Sequence, residues 1–246
     1  MFRKKKTTQQ SVPFPGQEAL RTGHQAVLTI EAQAADQIII QTIPNTVRLA
    51  ESAEFLPNVR VDTAIHGSDV IGKALGAAMS GLRVAVFSSG RGVGDMLNTL
   101  SFAVNHRVPL VLHLTTRALE HQAETLLSAH DDYHLLENSG AFQFFAANAQ
   151  EAADLTLIAR KVAEQALTPG IVAQDSYRTT HSLGVLQQPE PELITQFLGA
   201  PGDVIETPTP GQQLAFGDKR RRVPTWVDPD RPMGWGSYQD RDVYLR

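Results

Sequence analysis

Short apolar runs alternate along residues 23–173 with longer segments in which apolar residues recur at helical spacing. The clearest unit covers residues 139–181, where two apolar runs flank a helical pattern. Asn148 and Glu151 have the spacing of a capping box at the start of that pattern, and Gly170 follows its end. The unit therefore predicts a strand, a helix and a second strand in succession.

The same alternation continues on the N-terminal side of this unit. Because strands that alternate with helices favour parallel pairing, we predict an α/β fold with a mainly parallel sheet and helices on both faces. The predicted strands cover residues 37–40, 59–64, 84–87, 110–114, 142–146 and 171–173, and the predicted helices cover residues 23–35, 47–55, 67–80, 95–105 and 152–166.

The two ends of the chain differ in composition from this central part. Residues 1–20 are mostly polar, and we predict a flexible N-terminal arm there. Residues 21–190 form the predicted α/β domain. Residues 191–246 are rich in Pro, Gly and Asp, which favours an extended tail that wraps the domain or links it to another.

Composition excludes several kinds of chemistry. The chain has no cysteine, so it cannot ligate an iron–sulfur cluster through thiolates. A formal net charge of −4 gives no support for nucleic-acid binding. We find no apolar run of membrane-spanning length and no secretory signal, so we expect a cytoplasmic protein without membrane contact.

Candidate chemistry lies in loops after predicted strands, because ligands bind at the carboxyl edge of parallel sheets. The turn at residues 88–94 is either an anion site at a helix N-terminus or only a tight turn. Arg117 is either a clamp for a carboxylate or a surface residue. The other loops at this predicted edge cover residues 42–46, 64–69 and 175–181.

Two histidine motifs suggest further sites that we consider weaker. His130 and His134 stand four residues apart with carboxylates between them, but no further cluster supplies ligands, so we predict no metal site. His181 and Asp175 suggest a hydrolase pair, but no nucleophile elbow of the GxSxG type accompanies them.

Several motifs occur in the order found in one enzyme family. QTIPNTVRLAE resembles YPITPSSEMAE, FSSGRGVGDM resembles TFTSSQGLLLM, and QDSYRTTH resembles FDGFRTSH. SGAFQFFAANAQEAADL and the C-terminal segment that ends in YQDRDVYLR are similar to family segments as well. These motifs resemble the N-terminal domain of pyruvate:ferredoxin (flavodoxin) oxidoreductases and related 2-oxoacid:acceptor oxidoreductases, a domain that holds the aminopyrimidine half of thiamine diphosphate.

The resemblance implies a pyrimidine-type thiamine-diphosphate fold, in agreement with the α/β prediction. It implies that Arg117 contacts the carboxylate of the 2-oxoacid. It also implies that residues on three loops lie beside the cofactor or the substrate. These candidate cofactor-binding residues are Pro44, Thr46, Gly67, Ser68, Ser89 and Arg91.

The resemblance further implies a reaction and partners. Family enzymes oxidatively decarboxylate pyruvate or a similar 2-oxoacid to the acyl-CoA, with coenzyme A as acceptor of the acyl group. We therefore expect a hetero-oligomer in which a partner domain binds the diphosphate and its Mg²⁺. An iron–sulfur component would pass electrons to ferredoxin or flavodoxin.

The chain departs from the family pattern at two positions. The family glutamate that activates the pyrimidine ring aligns with Gly67, and the nearest carboxylate is that of Asp69, our second candidate catalytic residue beside Arg117. A family threonine aligns with Pro44, and Thr46 is the nearest hydroxyl. These departures keep one alternative open, a non-catalytic homologue with an assembly or regulatory role. The glycine turn leaves a further alternative, an unrelated small-ligand domain with a phosphate on that turn, which does not explain the ordered motifs.

Overall fold

A computed structural model describes residues 13–43, 46–53, 56, 58–90, 92–119 and 129–226. Two of the predicted site residues, Pro44 and Arg91, lie outside the described residues. Most of the predicted N-terminal arm and the last part of the predicted tail also lie outside them.

The centre of the fold is a six-stranded sheet in which every strand pair is parallel, with the order β3-β2-β4-β5-β7-β6. Strands β2, β4 and β5 are buried along their whole length, which explains why they appear in the sequence as continuous apolar runs. The six strands are β2 (Gln37–Gln41), β3 (Arg60–Ala64), β4 (Val84–Ser89), β5 (Val111–Thr116), β6 (Phe142–Ala146) and β7 (Gly170–Asp175).

Helices cover both faces of this sheet, so the predicted fold class is confirmed. One apolar cluster joins the strands to α3 and α4, and separate clusters join them to α1, α2 and α6. Asn148 caps α6 as predicted, since its side chain accepts a hydrogen bond of 2.9 Å from the Glu151 N–H. The helices of the domain are α1 (Gly23–Ala34), α2 (Val47–Ala53), α3 (Gly67–Met79), α4 (Gly92–Asn105), α5 (Asp131–Leu136) and α6 (Ala149–Ala166).

The structure differs from the sequence prediction at both ends of the domain. Strand β1 (Gln17–Arg21) pairs antiparallel with β8 (Gly184–Gln188), so the end of the predicted flexible arm is ordered by backbone pairing. The start of the predicted extended tail contains α7 (Pro191–Leu198) and α8 (Pro210–Phe216). Proline fits the first turn of a helix, where its missing N–H has no intrahelical partner, so these prolines begin helices. A short ribbon of β9 (Val204–Glu206) and β10 (Lys219–Arg221) flanks α8.

A buried arginine ties this C-terminal segment to the domain. Arg83 forms a bidentate ion pair with Glu164, with distances of 2.5 and 2.9 Å. Its guanidinium also donates to the Gly199 carbonyl oxygen at 3.0 Å. Trp226 is buried as well, and its indole N–H donates to the His106 carbonyl oxygen. The segment up to residue 226 therefore packs on the domain. Within the described residues, no helix is long and apolar enough to cross a membrane.

Candidate functional site

The carboxyl ends of the parallel strands bring the predicted loops to one edge of the sheet. At this edge, Gly90 follows β4 and Arg117 follows β5, and the two strands are neighbours. Gly90 has a φ of +45°, and a Cβ atom there would lie 3.3 Å from the Arg117 Cβ and 3.6 Å from its Cδ. A glycine at position 90 therefore lets the Arg117 side chain pack over the turn.

Asp132, in the first turn of α5, bonds to both of these loops. Its Oδ2 atom accepts hydrogen bonds from the Gly90 N–H at 3.0 Å and from the Arg117 N–H at 2.8 Å. The carboxylate is fully buried. Burial raises the pKa of Asp132 to about 6, and the hydrogen bonds from Arg117 and Gly90 oppose this rise.

A second set of polar contacts, centred on the Gln41 side chain, connects β2, β3 and β4 at the same edge. The Gln41 carboxamide donates to the Ile65 carbonyl oxygen at 2.9 Å and accepts from the Ser88 hydroxyl at 2.5 Å. Thr46 is fully buried, and its hydroxyl donates to the Gln41 carbonyl oxygen. Ser89 is fully buried at the end of β4. Thr46 thus shapes its own loop, and its direct contact with a cofactor stays a prediction.

The neighbouring helix α4 leaves no space for a side chain at Gly67, the position that aligns with the family glutamate. A Cβ atom at Gly67 would overlap the Gly92 carbonyl oxygen, and it would lie 3.3 Å from the terminal methyl of Met96. Gly92 in turn packs so closely on the Gln41 carboxamide that a Cβ atom there would overlap it too. The N-termini of α3 and α4 therefore touch through backbone, and no side chain fits at position 67 unless Gly92 moves.

Ser68 and Asp69 line a different part of the edge. They face an open cleft of about 930 Å³ beside β3 and α3, together with Thr42, His66 and Lys73. Lys73 donates to the Thr63 carbonyl oxygen at 2.8 Å and pairs with Asp62 at 3.1 Å, at the outer edge of the sheet.

The predicted catalytic residues therefore fall into two groups. Three strand spacings separate β3 from β5 in the sheet order. At about 4.8 Å per spacing, the ends of these strands lie roughly 14 Å apart. Asp69 lines the cleft beside β3 and α3, whereas Arg117 packs over the Gly90 turn that follows β4, and a joint catalytic role for the two residues stays a prediction.

A buried charged cluster that the sequence patterns did not predict lies in the interior of the domain. Glu31 contacts Arg160 at 2.6 Å and His113 at 2.7 Å, and all three side chains are buried. Burial alone would raise the pKa of Glu31, but the Arg160 charge and the His113 hydrogen bond outweigh it and lower the pKa to about 2. The only sequence signal was a histidine, His113, inside an apolar run.

His24 continues this polar interior towards the carboxyl edge. Its Nε2 atom lies 2.5 Å from the Thr115 hydroxyl, and its ring contacts that of His181 edge-on. Burial, followed by the nearby His181 and His113, lowers the pKa of His24 to about 3. His24 is therefore neutral at physiological pH.

This lowered pKa predicts a loss of stability in acid. Between pH 6.5 and pH 3 the unfolded chain protonates His24 and the folded chain does not, so the free energy of unfolding falls as pH falls. We expect His24 to contribute a slope that reaches about 1.4 kcal/mol per pH unit about one unit below pH 6.5, and His24→Gln removes it. Urea titrations from pH 7 to pH 5 measure it. The exposed His66→Gln is the matched control, and equal slopes in both variants would contradict the prediction.

The residues of the two histidine motifs have separate partners in the structure. His130 lies 3.7 Å from Asp175, whereas His134 pairs with Glu137. Among the residues that the structure describes, no three His, Asp or Glu side chains form a metal-ligand group. Asp175 accepts hydrogen bonds from the N–H groups of residues 177 and 178, so it orders its own loop.

A parallel sheet with a glycine turn, an arginine and a buried carboxylate at its carboxyl edge is typical of α/β domains that bind ligands at that edge. Residues 43–246 match the family model described as "Pyruvate flavodoxin/ferredoxin oxidoreductase, thiamine diP-bdg". The chain therefore belongs to this family, and the resemblance seen in the sequence is confirmed.

Individual relatives agree with this assignment. The pyruvate synthase subunit PorA of Pyrococcus furiosus is 32% identical over 200 residues, which are 79% of this chain and 46% of that protein. The pyruvate-flavodoxin oxidoreductase of Trichormus variabilis is 25% identical over 234 residues, 91% of this chain and 18% of that protein. This chain thus spans less than half the length of these relatives.

A solved structure is similar in fold. The 2-oxoglutarate:ferredoxin oxidoreductase from Magnetococcus marinus, with 2-oxoglutarate, coenzyme A and succinyl-CoA bound, superposes with a TM-score of 0.64. The identity is 19%, and the match covers 72% of this chain and 32% of that one. At this identity the likeness shows the fold alone.

The described residues do not fit the activating arrangement that the resemblance implies. Gly67 has no carboxylate and no room for one, and Asp69 lies in the cleft beside β3. Position 67 therefore supplies no activating carboxylate, and the substitution of Asp69 for the glutamate stays a prediction.

Proposed function

We propose that this chain is the pyrimidine-type domain of a multi-chain 2-oxoacid oxidoreductase. The assembly oxidatively decarboxylates pyruvate or a similar 2-oxoacid to the acyl-CoA, and Arg117 binds the carboxylate of the substrate. The observation that carries this proposal is the position of Arg117 across the Gly90 turn, at the carboxyl edge of adjacent central strands. Family membership and the names of the relatives support it.

The chemistry of the side chain suits this role. A guanidinium presents paired N–H donors in one plane, which match the two oxygens of a carboxylate. The side chain packs against the glycine turn, and that contact limits its freedom before substrate binds. Less conformational entropy is then lost on binding.

The remaining parts of the reaction belong to partners in this proposal. A partner domain binds the diphosphate and Mg²⁺ of thiamine diphosphate, and this chain lies on the pyrimidine side of the shared site. The chain has no cysteine, so an iron–sulfur component carries the electrons to ferredoxin or flavodoxin. The assembly is a cytoplasmic hetero-oligomer.

A specific observation favours a second candidate function. Position 67 has neither a carboxylate nor space for one, as expected for a domain that retains the fold but does not activate the cofactor. In that case the chain is a non-catalytic homologue that serves assembly or regulation of the oxidoreductase.

Two measurements on the complex purified from its source distinguish the catalytic from the non-catalytic function. They are the binding of the cofactor and the affinity for the substrate. Isothermal titration of thiamine diphosphate with Mg²⁺ will give saturable binding. Arg117→Ala will raise the KM for the 2-oxoacid by about 10- to 100-fold, because it removes hydrogen bonds between charged groups. The KM for coenzyme A will stay unchanged.

The control is Arg178→Ala, which removes an exposed arginine from another loop at the same edge. We expect it to leave both KM values unchanged. If Arg117→Ala leaves the KM for the 2-oxoacid unchanged, Arg117 is not the carboxylate clamp. If no assembled state binds thiamine diphosphate, the non-catalytic function replaces the first proposal.

A further inference from the structure

The motif that contains Asp132 is not explained by the proposed function. This carboxylate is fully buried, and a single oxygen, Oδ2, accepts from the backbone N–H groups of Gly90 and Arg117. We propose that Asp132 is a positioning residue that fixes the Gly90 turn and Arg117 relative to each other, so that Arg117 meets the 2-oxoacid in one orientation. The part that concerns substrate rests on the proposed function.

The local backbone aims Asp132 at the sheet edge. His130 adopts a left-handed conformation with a φ of +62°, and the chain turns there into α5. Asp131, the next residue, accepts a hydrogen bond of 3.2 Å from the Leu119 N–H through its own Oδ2 atom. Two consecutive carboxylates therefore hold the N–H groups of residues 90, 117 and 119, which lie in the loops after β4 and β5. The start of α5 fastens the loops that follow β4 and β5.

Local stability alone does not account for this arrangement. The other Asp132 oxygen, Oδ1, accepts from the Tyr133 N–H at 2.9 Å, as expected for an acidic residue near a helix start. The two bonds made by Oδ2 instead reach 42 and 15 residues back along the chain. They join the turn over which Arg117 packs to the backbone of Arg117 itself, so they set the distance between the two parts of the site.

Hydrogen exchange of the full chain tests the loop-fixing role without any substrate. In Asp132→Ala the N–H groups of Gly90 and Arg117 will exchange at least about tenfold faster, because their acceptor is gone. The N–H groups of β7 will keep their protection. Asp132→Asn keeps one acceptor oxygen and will give an intermediate effect. The matched control is Asp95→Asn, an exposed acidic residue in the first turn of α4.

Kinetics of the assembled enzyme test the consequence for substrate. Asp132→Ala will raise the KM for the 2-oxoacid about tenfold, since a misplaced clamp loses affinity for the substrate carboxylate. The KM for coenzyme A will not change, kcat will fall less than the KM rises, and Asp132→Asn will recover part of the affinity. A purely structural role would lower the amount of active enzyme and leave the KM unchanged.

The outcomes separate this inference from the proposed function. Unchanged exchange at Gly90 and Arg117 in a folded Asp132→Ala chain overturns the inference. The inference is also overturned if Asp132→Ala speeds exchange but leaves the KM for the 2-oxoacid unchanged, while Arg117→Ala raises that KM. If Arg117→Ala has no effect on the KM, the proposed function fails, and exchange alone decides the loop-fixing role. Should Asp132→Ala fail to fold, Asp132→Asn decides by the same measurements.

Discussion

Glu31→Gln will lower the free energy of unfolding by about 3–5 kcal/mol, because it leaves the Arg160 charge buried without its counter-charge. Glu31 is fully buried, and its two oxygens contact Arg160 and His113 on different elements. A glutamine can still accept from one of them, but it cannot balance the guanidinium charge. Urea unfolding at pH 7 measures the loss.

The pH dependence of stability gives this prediction a second readout. The folded-state pKa of Glu31 is lowered from 4.5 to about 2, so its stabilisation is complete above pH 4.5 and is lost as pH falls towards 2. Glu31→Gln will remove this part of the acid dependence, whereas the exposed Glu51→Gln will retain it. If Glu31→Gln lowers the free energy of unfolding by less than about 1 kcal/mol, the prediction is wrong, because such a small loss is typical of ion pairs in contact with water.

Gly67→Ala will lower the free energy of unfolding by about 1–3 kcal/mol, because the added methyl group meets the Gly92 carbonyl oxygen. Gly76 lies on the same helix, and a Cβ atom there has no neighbour within 4 Å. Gly76→Ala will therefore raise the free energy of unfolding by up to about 1 kcal/mol, through helix propensity alone. Thermal and urea unfolding of the pair separate close packing from propensity.

This comparison also bears on catalysis. If Gly67→Ala is as well tolerated as Gly76→Ala, the N-termini of α3 and α4 are not in backbone contact, and position 67 has room for a side chain. If the expected difference is found, Gly67→Glu will not restore a carboxylate to the site without moving Gly92. The cofactor-activating group then has to be sought outside this position.

The central fold followed from the sequence because its strands are buried on both faces. Residues 38–40 and 84–87 are continuous apolar runs, and the structure buries them completely. The C-terminal segment was harder to predict, because proline favours both an extended chain and a helix start. The burial of Ile194 and Leu198, which decides in favour of α7, depends on tertiary packing.

The candidate site was predictable only in part. The alignment located Arg117 and the missing glutamate, but a sequence cannot show that Gly92 closes position 67. Asp132 appeared among the polar residues of a histidine motif, and the role that we propose for it rests on contacts with distant backbone groups. Such contacts leave no periodic signal, because the partner atoms are the same in every residue type.

The contact between Lys73 and β3, the strand at one edge of the sheet, limits which residues of the neighbouring cleft can be changed safely. An edge strand offers carbonyl oxygens to strands of other molecules, and a lysine at the edge opposes such association. Lys73 occupies the Thr63 carbonyl oxygen and places a charge at the border of the sheet. Substitutions chosen to make the cleft more apolar should leave Lys73 in place, because its removal would expose β3 to aggregation.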